Sequence, residues 1–251
     1  MALKEERRNE ILEEVLKHGS ATVHDLSQRF GVSYEKIRKD LTALEDQHLI
    51  IKHHGGAMSI QDTVENPFNV RSSENSILKQ RVAKRALSLI PTGSTVILGT
   101  GSTVLELAKL LVVRDDLKIF TDSLPAASYL LSSQSDSYLL GGKLRQKSSS
   151  VYGGWTTTLL EQTKVSICFI GSDGFANFNG PTSPSYSDVA VDQVILKQSR
   201  KRYILADYTK FRRTSLHQIA TWDIITGLIT NQQADWDLVD KLQKYTTVIP
   251  D

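Results

Sequence analysis

Six short apolar runs, most of them ending in glycine or polar residues, constrain this chain more than any other feature. They cover Thr95 to Leu98, Leu117 to Thr121, Ser137 to Leu140, Val165 to Ile170, Tyr203 to Ala206 and Ile224 to Thr230. Each is strand-length and continuous rather than alternating, and helical stretches lie between several of them. A strand apolar on both sides needs cover on both faces, which is the habit of a mostly parallel sheet with helices packed above and below. An amphipathic helix from Ile77 to Ile90, broken at Pro91-Thr92-Gly93, precedes the first run. In such α/β sheets, ligands bind beyond the carboxyl ends of the strands.

Polar residues gather at those ends. The first run leads into Gly99-Thr100-Gly101-Ser102-Thr103, and a helix (Val104 to Leu111) follows directly. Two glycines with three hydroxyls exceed the needs of a plain turn. They let backbone amides approach a ligand at a helix N-terminus, where an anion is favoured. The remaining ends carry Asp122 and Ser123; Gly142 and Lys143, with Arg145 nearby; Asp173 and Gly174; and Asp207, followed by Lys210. Any one of these serves equally well as a turn or cap. Their recurrence at one edge predicts a shared pocket in which carboxylates accept sugar hydroxyls and lysine pairs with phosphate.

The first sixty residues follow a different rhythm. Ile11, Leu12, Val15 and Leu16 mark a helical face between Glu5 and His18, stopped by Gly19. Thr22 and Asp25 form a capping box for a second helix, with Val23, Leu26 and Phe30 inward and Gly31 at its end. Ser33 caps a third helix, in which Ile37, Leu41 and Leu44 point at a core. Two helices joined by a glycine turn form a helix-turn-helix, whose second helix enters the major groove. This makes Ser33, Tyr34, Lys36, Arg38 and Lys39 the candidates for base and phosphate contact. Ile50 and Ile51, then Gly55-Gly56, predict a hairpin wing that presents Lys52, His53 and His54 to the phosphates. A plain three-helix bundle is the alternative, since the first 56 residues hold nine Lys/Arg against ten Asp/Glu. The acids crowd the first helix, which would then face away from DNA.

Several motifs fall in the same order as in a known family. Lys4-Glu5-Glu6-Arg7, Arg29-Phe30-Gly31-Val32-Ser33, Ile37-Arg38-Lys39-Asp40-Leu41, Leu44-Glu45 and His54-Gly55-Gly56-Ala57 resemble the N-terminal signature of the DeoR family of sugar-metabolism regulators. Gly101-Ser102-Thr103, Ser123-Leu124-Pro125, Leu140-Gly141-Gly142, Phe169-Ile170-Gly171, Asp173-Gly174, Thr182 with Pro184, and Ala206-Asp207 with Lys210-Phe211 resemble its effector domain. The resemblance implies a winged helix-turn-helix joined to an α/β sensor of the ribose-5-phosphate isomerase and CoA-transferase-like type. It also implies a repressor tuned by a phosphorylated sugar, and it adds Asp188 as a ligand residue. Departures from the family pattern fall at Lys36, where threonine is usual, and around the pocket. Gly99 stands where aspartate is usual, Asp122 where asparagine is common, Ser185 where an acid is usual and Asp192 where lysine is frequent.

The reading that follows is a regulator in three parts: a DNA-binding domain over 1–58, a connection over 59–76 in which Phe68 and Val70 are able to dock, and a sensing domain over 77–251. Its partners are double-stranded operator DNA, a phosphorylated sugar and further copies of itself in a homodimer or homotetramer. A sugar-phosphate isomerase with a DNA-binding appendage is the rival reading. It would use Asp122, Asp173 or Asp207 as base and Lys143 or Lys210 as oxyanion partner. Leu140-Gly141-Gly142-Lys143 places its lysine on the wrong side of the glycines for an isomerase, so no catalytic residue and no enzymatic role is expected. No cofactor and no metal site are expected either, since the histidines form no ligand-spaced set with acids or cysteine. The one cysteine, Cys168, reads as a buried strand residue. No apolar run reaches membrane-spanning length and the first residues are charged, which points to the cytoplasm.

Overall fold

The computed structural model of the chain describes residues 2–18, 20–47, 49–53, 55–59, 65–175 and 179–251. The N-terminal part holds α1 (Ala2–His18), β1 (Ser20–Thr22), α2 (Val23–Phe30), α3 (Tyr34–Asp46), β2 (Ile50–His53) and β3 (Gly56–Ser59). The expected caps form. The Thr22 hydroxyl accepts from the Asp25 amide at 3.0 Å and donates to the Asp25 carboxylate at 2.8 Å. Gly31 ends α2 in the left-handed conformation, and the Ser33 hydroxyl accepts from the Lys36 amide. Ile11, Val15, Val23, Leu26, Ile37, Leu41 and Leu44 close into one core with Ile50 and Ala57. Phe30, expected inside, is only half-buried at its rim, and Leu16 is exposed. The wing has a third strand that the sequence did not signal. β1 adds to the β2–β3 hairpin in the order β1-β3-β2, all antiparallel. Ser20-Ala21-Thr22 has no strand pattern of its own, and the open edge of β3 recruits it.

A buried carboxylate sets the pose of α3. Asp40 is 1% exposed. It accepts from Arg7 Nε at 2.7 Å and from Arg8 Nε at 3.0 Å, so both of its oxygens are held by α1. A buried ion needs such pairing, and the pairing locks α3 against α1 with its opposite face outward.

The C-terminal part runs α4 (Phe68–Ser73), α5 (Ser76–Leu87), β4 (Thr95–Leu98), α6 (Ser102–Leu111), β5 (Lys118–Thr121), α7 (Leu124–Leu130), β6 (Asp136–Leu139), β7 (Lys143–Arg145) and β8 (Ser150–Tyr152). It continues through α8 (Gly154–Glu161), β9 (Val165–Gly171), β10 (Thr182–Ser183), α9 (Tyr186–Gln198), β11 (Ser199–Leu205), β12 (His217–Gln218), β13 (Gly227–Thr230), α10 (Trp236–Gln243) and β14 (Val248–Pro250), with 3-10 turns at Tyr208–Arg212 and Trp222–Ile224. Seven strands form a parallel sheet in the order β14-β13-β11-β9-β4-β5-β6.

Side-chain alternation splits the core between the two faces. Val96, Leu98, Ile167, Phe169 and Leu205 pack with α5, α6 and α7, while Ile97, Cys168, Ile170 and Ile204 pack with α8, α9 and α10. Cys168 is fully buried, and burial pushes its thiol up to about 12. The six expected strands are all present with shifted ends. β11 begins four residues early, and the last run is a turn before it is a strand. The hairpin β7–β8, the pair β10–β12 and the edge strand β14 were not foreseen. Each is two or three residues long, too short to carry a periodicity. Of the expected connection, Phe68 docks into the core beside α6 while Val70 stays exposed.

All three tryptophans, Trp155, Trp222 and Trp236, lie in the C-terminal part, so fluorescence reports on that part alone. Asp40→Asn breaks a buried, doubly paired charge, and we expect it to cost the N-terminal module about 2 kcal/mol. The far-UV circular dichroism melt should lose its N-terminal component at lower temperature while the tryptophan melt stays in place.

Candidate functional site

Two surfaces carry functional chemistry. On α3, Tyr34, Glu35, Lys36, Arg38 and Lys39 all face outward. Lys39 pairs with Glu35 at 2.8 Å one turn back, and the Tyr34 hydroxyl meets His24 Nδ1 at 2.8 Å, which ties the start of α3 to α2. Lys36 and Arg38 engage no side chain among the described residues and stand free to meet a polyanion. Lys52 does not. Its ammonium donates to Thr42 Oγ1 at 2.8 Å and lies 3.7 Å from Glu45. That overturns its expected place on the outer wing, because a nearby carboxylate on α3 draws it back. His53 is in β2 and His54 lies outside the described residues.

The second surface is a cleft of about 320 Å3 at the carboxyl end of the parallel sheet. It opens where β4 and β9 lie side by side and the chain turns away from them in opposite directions across the sheet. Loops diverge at such a reversal and leave a crevice. Thr100 to Thr103 line one side and Gly171 to Asp173 the other, with Asp188 and Asp192 from α9, and Asp207 and Lys210 beyond β11. Gly101 has φ of 154°, a conformation that favours glycine, and it precedes α6, whose first-turn amides have no intrahelical partner. Thr100 donates its hydroxyl to the Ser148 carbonyl, which pins the loop to the turn of the β7–β8 hairpin.

A wall that the sequence did not indicate closes the cleft. Glu65, Asn66, Arg71, Glu74, Asn75 and Lys79 line it. Glu65 is clamped by both terminal nitrogens of Arg145, one of them at 2.8 Å. Lys79 is buried, and its ammonium donates to the carbonyls of Arg71 and Glu74. Burial holds its pKa below the usual lysine value, Asp207 pulls it back up, and Lys210 and Arg71 push it down. One proton of that ammonium remains for another acceptor.

The acids of α9 form an opposing cluster. Burial pushes the Asp188 carboxyl up to about 6, against the pull of Arg145, which lies 3.4 Å away. Asp192 is raised well above the usual carboxylate range by burial, with Asp122, Asp188 and Asp173 adding repulsion. Asp122 rises to about 8, mostly from burial and then from Asp188, and its Oδ1 has no hydrogen-bond partner among the described residues.

Two family descriptions match this chain: the DeoR-like helix-turn-helix domain over residues 7–63 and the DeoR C terminal sensor domain over residues 74–232. The chain belongs to the DeoR family. Among its relatives is a "Putative aga operon transcriptional repressor" from Escherichia coli O157:H7, 31% identical across 95% of this chain and 90% of the relative. Another is the "Lactose phosphotransferase system repressor" of Streptococcus mutans, 33% identical across 98% of this chain and 99% of the relative. Among solved structures, ribose 5-phosphate isomerase A from Methanocaldococcus jannaschii aligns with a TM-score of 0.41 and 19% identity over 55% of each chain.

In this DeoR-family chain the cleft gathers Thr100, Gly101, Ser102, Thr103, Asp173, Asp188, Asp207 and Lys210 from the expected ligand set. It leaves out Gly99, Asp122, Ser123, Gly142, Lys143 and Gly174, and each has a structural reason. The β7–β8 hairpin covers the end of β5, where the Val151 amide donates to the Asp122 carbonyl, so Asp122 and Ser123 are sealed beneath it. Ser123 caps α7. Lys143 is exposed on that hairpin, with its ammonium 5.9 Å from the Tyr152 ring centre. A side chain at 142 would strike Thr156, and one at 174 would strike the Arg213 carbonyl, so both glycines serve close packing. Gly99 sits below the loop, where an added Cβ would come within 2.9 Å of Ile170 and 3.4 Å of Asp192. Arg71 and Lys79 escaped notice because nothing local in a helix or its lead-in marks a residue that reaches a strand edge.

Asp122 gives a pH signature. Its folded carboxyl titrates near 8 rather than the usual 3.8, so the stability it contributes is present in acid and lost as pH rises through that window. Asp122→Asn should match the wild type at low pH and become progressively more stable from about pH 4 to pH 8. We expect a melting temperature at least about 3 °C higher at the alkaline end, measured by differential scanning fluorimetry across pH.

Proposed function

We propose that this chain is a repressor of carbohydrate-metabolism genes that releases or tightens on operator DNA when a phosphorylated sugar fills the cleft. The observation that carries this reading is the makeup of the cleft. One side is an anion-favouring glycine-hydroxyl loop, and the other is residues 65–79, which join the sensor to the DNA-reading module. A phosphate placed on the amides of Gly101 to Thr103 meets Lys210 and the spare proton of Lys79. Its arrival alters the hydrogen bonds by which Lys79 holds the Arg71 and Glu74 carbonyls. Occupancy is thereby felt by the segment that leads to α3, and a ligand that binds two arrangements unequally shifts the population between them. The relatives' names, repressors of a sugar operon and of a lactose phosphotransferase system, support the sugar class.

On this reading the winged module spans 1–58, the connection 59–76 and the sensor 77–251, with the connection's second half built into the effector site. Operator DNA is read by Ser33, Tyr34, Lys36, Arg38 and Lys39 on and before α3. A homodimer or homotetramer sets two such helices on a repeated site, in the cytoplasm where the genes are. Among the described residues no helix is long and apolar enough to cross a membrane. Binding is favoured over turnover because Asp122 and Lys143, two of the residues an isomerase would call on, lie outside the cleft.

Mobility-shift titration on the chain's own promoter tests the scheme. Arg38→Ala should weaken operator binding at least tenfold and spare ligand binding. Ser102→Ala combined with Lys210→Ala should keep basal DNA affinity and blunt the response to sugar phosphates. Wild-type operator affinity in Arg38→Ala would show that α3 is not the reading helix.

A further inference from the structure

The cleft carries more acidic groups than a simple sugar phosphate calls for. Its lining holds six acids, Glu65, Glu74, Asp173, Asp188, Asp192 and Asp207, against four cations, Arg71, Lys79, Lys210 and Arg213. Arg145 pairs with Glu65 and lies 3.4 Å from Asp188, which leaves Asp192 as an acid with no cation beside it. The charges are also sorted. Lys79 feels Asp207, Lys210, Glu74 and Arg71 around it, whereas Asp192 feels only other acids: Asp122, Asp188 and Asp173.

Asp192 is the odd group at the acidic pole. It is 6% exposed, it lines the cleft, and its carboxylate makes no hydrogen bond or ion pair among the described residues. Buried polar groups are almost always paired, and a buried carboxylate most of all. Arg145 does not serve it, being committed to Glu65 and Asp188. Among the described residues no group of acids, histidines and cysteine is arranged to hold a metal ion. What the pole lacks is a small organic cation with several N–H donors.

We infer that the effector is a phosphorylated amino sugar, with its phosphate at the Gly101–Thr103 loop and Lys210 and its ammonium at Asp192 and Asp188. This deepens the sugar-phosphate reading above and rests on it. An ammonium supplies three donors and one positive charge, which fits two carboxyl groups one turn apart on α9, of which only Asp188 has a cationic neighbour, Arg145. A hydroxyl at the same position supplies one donor and leaves the acidic excess in place.

Isothermal titration of the full-length protein at neutral pH separates the possibilities. The probes are glucosamine 6-phosphate and galactosamine 6-phosphate, their hydroxyl counterparts glucose 6-phosphate and galactose 6-phosphate, and the corresponding N-acetyl compounds, which keep the phosphate and lose the charge. At least one amine should bind tenfold or more tightly than both of its uncharged counterparts. Asp192→Asn should erase that preference, and Asp192→Glu should keep part of it. Equal or tighter binding of the hydroxyl or N-acetyl sugars would overturn the inference and leave the sugar-phosphate reading standing. Failure of every phosphorylated probe to bind would overturn both. If Asp192→Asn melts as the wild type does and still prefers the amine, the ammonium is not held at Asp192 and the assignment is wrong.

Discussion

The parallel pairing of β4 with β9 is the contact on which the rest of the molecule depends. Val96, Ile97 and Leu98 lie in register with Ile167, Cys168 and Phe169, and alternate side chains feed the two cores above and below the sheet. From that seam the chain proceeds to β5 and β6 on one side and to β11, β13 and β14 on the other. The loops that leave β4 and β9 therefore part, and the gap between them is the cleft. The glycines at 101 and 171 face one another across the gap, with an added Cβ at 101 falling 3.6 Å from the Gly171 Cα.

The cleft would be an ordinary α/β crevice if residues 65–79 did not close it. Glu65 anchors that segment to the hairpin through Arg145, Phe68 anchors it to the core, and Lys79 anchors it through its own carbonyls. Each anchor differs in kind. The apolar one is indifferent to a bound anion. On the proposed reading the two charged ones are not, because a phosphate would compete for Lys79 and a ligand cation would compete with Arg145 for Asp188. A charged ligand thus changes the strength of the contacts that hold the segment while leaving its packing in place. In the N-terminal module the paired Asp40 ties α3 to α1, so on the proposed reading the two helices would move as one body.

Much of this was legible in the residues. The apolar runs marked the central strands because a strand buried on both faces has few polar positions to interrupt it, while β6, at the sheet edge, is exposed throughout. Thr22, Asp25 and Ser33 marked helix starts because capping is local chemistry, and the glycines and hydroxyls of 100–103 marked a loop that the structure places in the cleft. What escaped was set by contacts distant in sequence. β1 is a strand only because β3 lies beside it, and Lys52 leaves the wing only because Glu45 is within reach. Asp122 and Ser123, after β5, lie at the same sheet edge as the loop at 99–103 but are sealed by the β7–β8 hairpin, and three-residue strands have no periodicity to betray them. Arg71 and Lys79 carried no local mark of a role, and only the fold brings their segment across the sheet edge.

Hydrogen–deuterium exchange, read by mass spectrometry on the full chain with and without a sugar phosphate that raises its melting temperature, tests the central claim most directly. Effector binding at the β4–β9 crevice should slow exchange both in the loop at 99–104 and across 66–79, with a further change at the start of α3. Protection confined to some other surface, or protection of the loop with no change anywhere in 66–79, would contradict the claim that the ligand is read by the segment joining sensor to DNA.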